Sequence, residues 1–321
     1  MSDEGRRERS GISTQRKRER RPVHGVLLLD KPSGITSTAA LARAKRALDA
    51  AKAGHTGTLD PLASGLLPLC FGEATKFAAD LLDADKVYVA SARLGIETTT
   101  GDSEGETTAT KPVDVDRAGV EAAVARFVGT IDQVPPMYSA LKRDGRPLYE
   151  YARDGVVLER AARRVTIHAL TVDELEGDRL TFTVRCSKGT YVRTLAEDIG
   201  RALACGAHLV ALRRTGVGAL ELAAATPLAT FESLTGDARD ALLLPIDALI
   251  ASLPRVDLDD EHARRFLDGQ RLPAEASGPC GRVRVYRRIA GAGALLGTAF
   301  IDAEWVLAPT RVVAQPMNAA A

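Results

Sequence analysis

Aromatic residues make up only 4% of this 321-residue chain, with one Trp, six Tyr and seven Phe. With so few, each exposed one is a candidate for contact with a flat ligand. Cysteine is scarce too: Cys70, Cys186, Cys205 and Cys280 stand far apart, with no C-x-x-C pair. That spacing excludes a disulfide framework and fits a reducing cytoplasm. None of the five histidines clusters with these cysteines, so no metal site is expected. No run of 18 apolar residues occurs, so no membrane span is expected. The G-x-G-x-x-G dinucleotide fingerprint and the G-x-x-x-x-G-K-[ST] phosphate loop are both missing, so no nucleotide cofactor is implied. A net charge of +1 neither favours nor excludes a polyanionic partner. The 45% hydrophobic share suits a globular protein of one large and one small domain.

What is present is concentrated in Gly54-His55-Thr56-Gly57-Thr58-Leu59-Asp60-Pro61-Leu62-Ala63-Ser64-Gly65. One carboxylate sits there among glycines, a proline and three hydroxyls. Glycine lets the backbone approach a ligand closely. Pro61 fixes its own φ and drives Asp60 out of the helical region. This composition predicts a stiff loop presenting one acid as a nucleophile, general base or metal ligand. The plainer alternative is a turn whose Asp bonds nearby amides.

Around that loop, 25–29 reads as a buried strand entering the Asp30-Lys31-Pro32-Ser33-Gly34 turn. A helix is expected over 37–53 with Ser37 as its N-cap, and a strand over 87–94. A long polar loop covers 96–111, followed by a helix over 116–127 with Val120, Ala123, Val124 and Phe127 on one stripe. Beyond Pro135-Pro136 come a short helix at 149–154, strands at 165–170 and 180–185, and a helix over 190–205. The apolar 242–253 run stops at Pro254, which sets a domain boundary. Strands at 283–288 and 294–300 follow, with Gly291 and Gly293 in the hairpin between. The division expected is a disordered basic tail over 1–21, a large domain over 22–252 and a small β-rich domain over 253–321. The tail holds eight Lys or Arg against four Asp or Glu, and its sharper reading is a salt-sensitive RNA-contacting arm.

The 54–65 loop resembles the catalytic motif of the TruB family of pseudouridine synthases, G-H-x-G-x-L-D-P-x-A-x-G. Further matches follow in the family's order: 25–34, Gly72-Glu73-Ala74-Thr75-Lys76-Phe77, Asp85-Lys86-Val87-Tyr88, 137–142, Cys186-Ser187-Lys188-Gly189-Thr190-Tyr191-Val192-Arg193 and 205–209. The likeness runs from about 23 to about 313. It implies a mixed α+β catalytic core around a largely antiparallel sheet, with a small β-rich PUA-like RNA-binding domain after it. It implies isomerisation of uridine 55 in the tRNA T-loop to pseudouridine, by base flipping and without a cofactor. The partner implied is tRNA, with no membrane, no obligatory protein partner and a monomeric state.

The resemblance also assigns residues. Asp60 is the catalytic acid and Arg193 the cation paired with it. A buried carboxylate would otherwise be pushed towards its neutral form, so such a cation is physically required. Tyr88 stacks on the target base and assists removal of the C5 proton. Tyr191 and Leu212 line the uracil pocket, and His55 fills the space left by the flipped nucleotide. Asp102 matches an acid at the site's rim and is counted with the substrate-binding residues. Many members carry a further Asp where this chain has Thr99, which puts that rim acid's helper role in question. Lys142, Lys188, Arg213 and Arg214 are candidates for phosphate contacts, in a group with Arg143, Arg146, Arg153, Arg163 and Arg164. Two other readings compete. One is a tRNA-folding protein with incidental catalysis, for which an intact Asp60, Tyr88 and Arg193 would be unnecessary. The other is a metal-dependent hydrolase built on Asp30, Asp60 and Asp102, which lacks the usual carboxylate or His spacing.

Overall fold

A computed structural model describes residues 19–289 and 293–317, without the side chains of 315–317. The expected tail, up to residue 18, and Gly291 of the expected hairpin lie outside the described residues. Arg21 already belongs to the fold: its N–H donates to the Asp49 carbonyl at 2.8 Å and its guanidinium pairs with Asp240.

A ten-stranded mixed sheet forms the body. Its order is Thr226–Pro227, Gly25–Lys31, Ser64–Phe71, Ala207–Val217, Lys86–Leu94, Arg179–Cys186, Arg163–Glu176, Gly129–Gln133. Leu220–Glu221 and Ala53–His55 pair beside this path. All contacts are antiparallel except Gly25–Lys31 with Thr226–Pro227 and Ser64–Phe71 with Ala207–Val217. The latter joint is only two residue pairs long, Ser64 with Arg213 and Gly65 with Arg214. One core fills the side of the sheet under the Val192–Ala202 helix, around Phe182, Leu195 and Ile199. Another lies under Ser37–Ala47, around Leu29, Leu67 and Phe231. Tyr88 and Leu212 touch both cores, so these two residues stand at the seam between two packed halves.

Several expected elements shift. The first helix is Ser37–Ala47, not 37–53, and its cap is Thr36, whose hydroxyl accepts from the Ala39 N–H at 3.0 Å. Ala53 already starts a strand. The polar 96–111 stretch holds a small hairpin, Ile96–Thr98 with Thr107–Thr110. Thr99 accepts there from the Glu106 N–H at 3.1 Å, so its hydroxyl braces the turn. The later helix is Val192–Ala202, shorter at both ends than expected.

Two central strands give little sequence signal, for physical reasons. Ala207–Val217 carries bulges at 209–211 and 214–216, which break period-two alternation. Ser64–Phe71 is an apolar run with Pro68 inside it. Pro68 lies between the stretch paired to Ala53–His55 and the stretch paired to Arg213–Arg214, where that edge has no ladder to interrupt.

The C-terminal sheet runs Arg255–Leu258, Gly281–Arg287, Ala294–Ile301, Val306–Met317, Leu272–Pro273, and the Asp260–Leu267 helix packs on it. It is fixed to the body through a shared core of Ile246, Leu249 and Ile250 with Tyr286, Leu295 and Val313. Lys76 Nζ donates to the Val312 carbonyl at 2.8 Å, and Glu73 accepts from the Ala314 N–H at 2.8 Å. Among the described residues no helix is long and apolar enough to cross a membrane.

Gly65 is one position where glycine is required. Its φ is +102°, and a Cβ there would lie 2.3 Å from the Arg214 carbonyl oxygen. Gly65→Ala is expected to destabilise the fold by about 1–3 kcal/mol, as overpacking does. Urea unfolding reads this directly, and an unchanged midpoint would contradict the close approach.

Candidate active site

The 56–63 loop is pinned by the turn that precedes the first helix. Ser37, buried, accepts from the Leu59 N–H at 2.8 Å and donates to the Leu59 carbonyl at 3.0 Å. The Gly34 N–H donates to the Pro61 carbonyl at 2.8 Å, and Ser33 donates to the Leu62 carbonyl at 3.0 Å. Both neighbours of Asp60 are therefore held by backbone bonds. Its carboxylate stays free of local capping: no backbone amide of the loop, among the described residues, donates to it. The plain turn reading does not hold.

The carboxylate instead faces Arg193. Arg193 Nη2 lies 2.9 Å from Asp60 Oδ2, with 43% of the Asp60 side chain exposed and only 6% of the Arg193 side chain. An acid that must meet a substrate needs that opening. Arg193 sits with Ala196 and Gly200 on the buried face of its helix, where an uncompensated charge would cost several kcal/mol. It is compensated by four acceptors. Besides Asp60, Asp102 Oδ2 stands 3.4 Å from Nη1, the Thr100 carbonyl accepts from Nη1 at 3.1 Å, and the Tyr138 carbonyl accepts from Nη2 at 2.6 Å. Asp102 is itself held through Oδ1, which accepts from the Thr100 hydroxyl at 2.5 Å and the Glu104 N–H at 3.1 Å.

Asp102 is thus not at the rim where the sequence suggested a substrate contact. It is 3% exposed, and its Oδ2 faces the Arg193 guanidinium. Arg214 also departs from expectation. At 2% exposure it cannot meet an RNA phosphate at the surface. Its Nε donates to the Leu66 carbonyl at 2.8 Å, and its Nη2 is buried without a partner. The cause is strand alternation: Arg213 points outward to Asp30 at 2.7 Å and Ser64 at 3.2 Å, and its neighbour points in.

Arg214 stands directly across the sheet from Tyr88. Burial raises the Tyr88 phenol's pKa, and the Arg214 guanidinium opposes that rise. The phenol is therefore neutral at pH 7. Leu212 registers with Ala90 on the same strand pair and touches both cores. His55 ends the Ala53–His55 strand, and its Nδ1 is buried without a partner. Burial first, and Arg214 second, lower its pKa, so the ring is neutral at pH 7. Tyr191 is partly buried at the start of the Val192–Ala202 helix, and burial raises its pKa. Lys142 is exposed on the Lys142–Arg143 strand, and Lys188 pairs with Asp83 at 2.7 Å on the surface.

Two residues of this neighbourhood carry no role in the sequence reading. Lys31 ends a buried strand and is wholly inaccessible, its Nζ donating to the Pro32 and Ile35 carbonyls at 2.9 and 2.7 Å. Burial brings its pKa down to about 8, with Asp60 pulling it up and Arg214 pushing it down. Its signal was a lone Lys at the end of an apolar run. The other is Gln133, 2% exposed, which ends a sheet strand beside Tyr191. Among the described residues no group of three or more His, Cys, Asp or Glu is placed to hold a metal ion. Asp30 is turned to Arg213 and Asp102 to Arg193.

Three family profiles match successive stretches of the chain between residues 45 and 313. "TruB family pseudouridylate synthase (N terminal domain)" covers residues 45–192, "tRNA pseudouridylate synthase B C-terminal domain" covers 193–251, and "Pseudouridine synthase II TruB, C-terminal" covers 254–313. A tRNA pseudouridine synthase B of Ralstonia nicotianae is 61% identical over 307 residues, 94% of this chain and 98% of that one. Another of Burkholderia lata is 62% identical over 299 residues, 92% and 91% of the two chains. Among solved structures, a chain of a Cbf5-Nop10-Gar1 complex superposes with a TM-score of 0.69 at 26% identity, covering 90% of this chain and 84% of that one.

Proposed function

The chain belongs to the TruB family of pseudouridylate synthases, and we propose that it converts uridine 55 of the tRNA T-loop to pseudouridine with Asp60 as the catalytic carboxylate. The observation that carries this reading is the ion pair between a half-open Asp60 and a buried, fully coordinated Arg193.

The reaction breaks the bond from ribose C1′ to uracil N1, turns the base and joins C1′ to C5, from which a proton leaves. No electrons are exchanged with a redox partner. Asp60 attacks the base, attacks C1′ or removes a ribose proton, and in each route it acts as the anion. Arg193, 2.9 Å away, is the counter-charge to that anion. The target base is stacked inside the tRNA elbow, so flipping it costs a few kcal/mol, offset by contacts in the pocket. Tyr88, Leu212 and Tyr191 supply those contacts, and the neutral His55 fills the vacated stack. Lys142, Lys188 and Arg213 are the proposed phosphate partners. The C-terminal sheet, rigidly joined to the body, adds RNA-binding surface, and the chain acts on tRNA as a monomer.

Release of tritium from tRNA labelled at uridine C5 tests this directly, because the C5 hydrogen is lost only if the C1′–C5 bond forms. The same assay separates the roles of Tyr88. If stacking is its chief work, Tyr88→Phe retains at least about a tenth of the rate while Tyr88→Ala loses about 100-fold or more. A Phe variant as inactive as the Ala variant would instead give the proton transfer to the hydroxyl. Absence of tritium release from the wild type would contradict the function.

A further inference from the structure

Gln133 ends the Gly129–Gln133 strand with its side chain turned into the protein. Its Oε1 accepts from the Tyr191 backbone N–H at 2.8 Å, and its Nε2 donates to the Tyr191 backbone carbonyl at 3.1 Å. One planar amide thus satisfies both backbone groups of one residue, as a neighbouring strand would. Tyr191 needs such a partner. It is the boundary residue of the Val192–Ala202 helix, and no side-chain cap holds it there.

The next five residues add a second grip. Beyond Pro135-Pro136, the Tyr138 carbonyl accepts from Arg193 Nη2 at 2.6 Å. The 133–138 stretch therefore holds the 191–193 stretch at two points, one on the backbone of Tyr191 and one on the head of Arg193. A buried side chain here could have been apolar at lower desolvation cost. An amide whose two bonds both go to Tyr191 is an arrangement for placing that residue.

We propose that Gln133 is a positioning residue: through the Tyr191 backbone it sets where the Tyr191 ring and the Arg193 guanidinium stand relative to Asp60. This rests on the reading of the Asp60 site given above. Gln133 touches neither the base nor Asp60. Without it, the Tyr191 N–H loses its partner and the Tyr191 carbonyl keeps only the bond from the Leu195 N–H at 3.0 Å, so the entry to the helix that carries Arg193 is held at one point fewer.

Gln133→Met keeps the side-chain volume and removes both bonds. Val124→Ala, in the core under the Val192–Ala202 helix, gives a loss of stability that removes neither bond to Tyr191. With saturating enzyme on unmodified tRNA transcript, Q133M is expected to lose between about 10- and 100-fold in single-turnover rate, the scale of a 1 Å misplacement. Its tRNA Kd stays within about twofold of wild type, since the interaction lost acts on chemistry and not on binding. V124A keeps the wild-type rate at an equal or larger drop in Tm. If Q133M shows no cooperative melt, Gln133→Asn replaces it: the amide is kept but drawn back by one methylene, out of reach of both bonds, and the same loss is expected. A wild-type rate in the folded variant, or an equal rate loss in V124A, overturns the assignment. If the wild type forms no pseudouridine, the reading of the site falls first and the assignment falls with it.

Discussion

Asp60→Asn is expected to lower the single-turnover rate by about 10,000-fold or more, the scale seen when a residue acting as part of a catalytic unit is removed. Asparagine keeps the shape of the side chain and loses the charge, so it can neither attack carbon nor take a proton. The fold should hardly notice. The Asp60 side chain is 43% exposed, and an ion pair that open contributes at most about 1 kcal/mol. Arg193 keeps Asp102 and the Thr100 and Tyr138 carbonyls, so no buried charge is abandoned. Binding of tRNA should persist, because the residues proposed to contact phosphate and base are untouched. Single-turnover kinetics with a parallel filter-binding titration measure both. A residual rate within about 100-fold of wild type would mean that Asp60 helps the reaction without carrying it.

Arg193→Met should behave differently, because it removes the partner of a buried group. Asp102 has a side chain only 5% exposed, and stranding it without Arg193 is expected to cost about 3–5 kcal/mol of stability. Turnover should fall by roughly 100- to 1,000-fold as the fixed charge beside Asp60 disappears. The double variant Arg193→Met with Asp102→Asn separates the two effects. Asparagine retains an acceptor for the Thr100 hydroxyl and the Glu104 N–H, and replacing both members of a buried pair is often close to neutral. The double variant is therefore expected to regain most of the lost stability and none of the lost turnover. Recovery of turnover would show that Arg193 matters only for folding; failure to regain stability would show that Asp102 does not depend on it.

The parts of this site legible in the sequence are those encoded by short-range spacing. The loop around Asp60, the turn at 30–34 and the helix start at Arg193 are each specified within a dozen residues by glycine, proline and apolar period. The pairing of Asp60 with Arg193 was legible only through the family resemblance, since 133 residues separate the two. What escaped depended on which way a side chain points. Arg213 and Arg214 are equivalent as letters, and only the register against Val89 and Tyr88 decides that one meets solvent and the other the cleft floor. Thr36 and Ser37 are both credible caps. The structure spends Thr36 on the helix and Ser37 on the catalytic loop. Gln133 gave no local signal, because its partner Tyr191 comes from a distant part of the chain, and the pairing of Asp102 with Arg193 is equally long-range.

The most direct test is to incubate unmodified tRNA transcript with the wild-type protein and with Asp60→Asn, without added metal or cofactor, and to map pseudouridine nucleotide by nucleotide. The account predicts pseudouridine at position 55 with the wild type and none with the variant. Tight tRNA binding by both proteins with no pseudouridine from either would contradict it, and would leave a tRNA-folding protein as the better description.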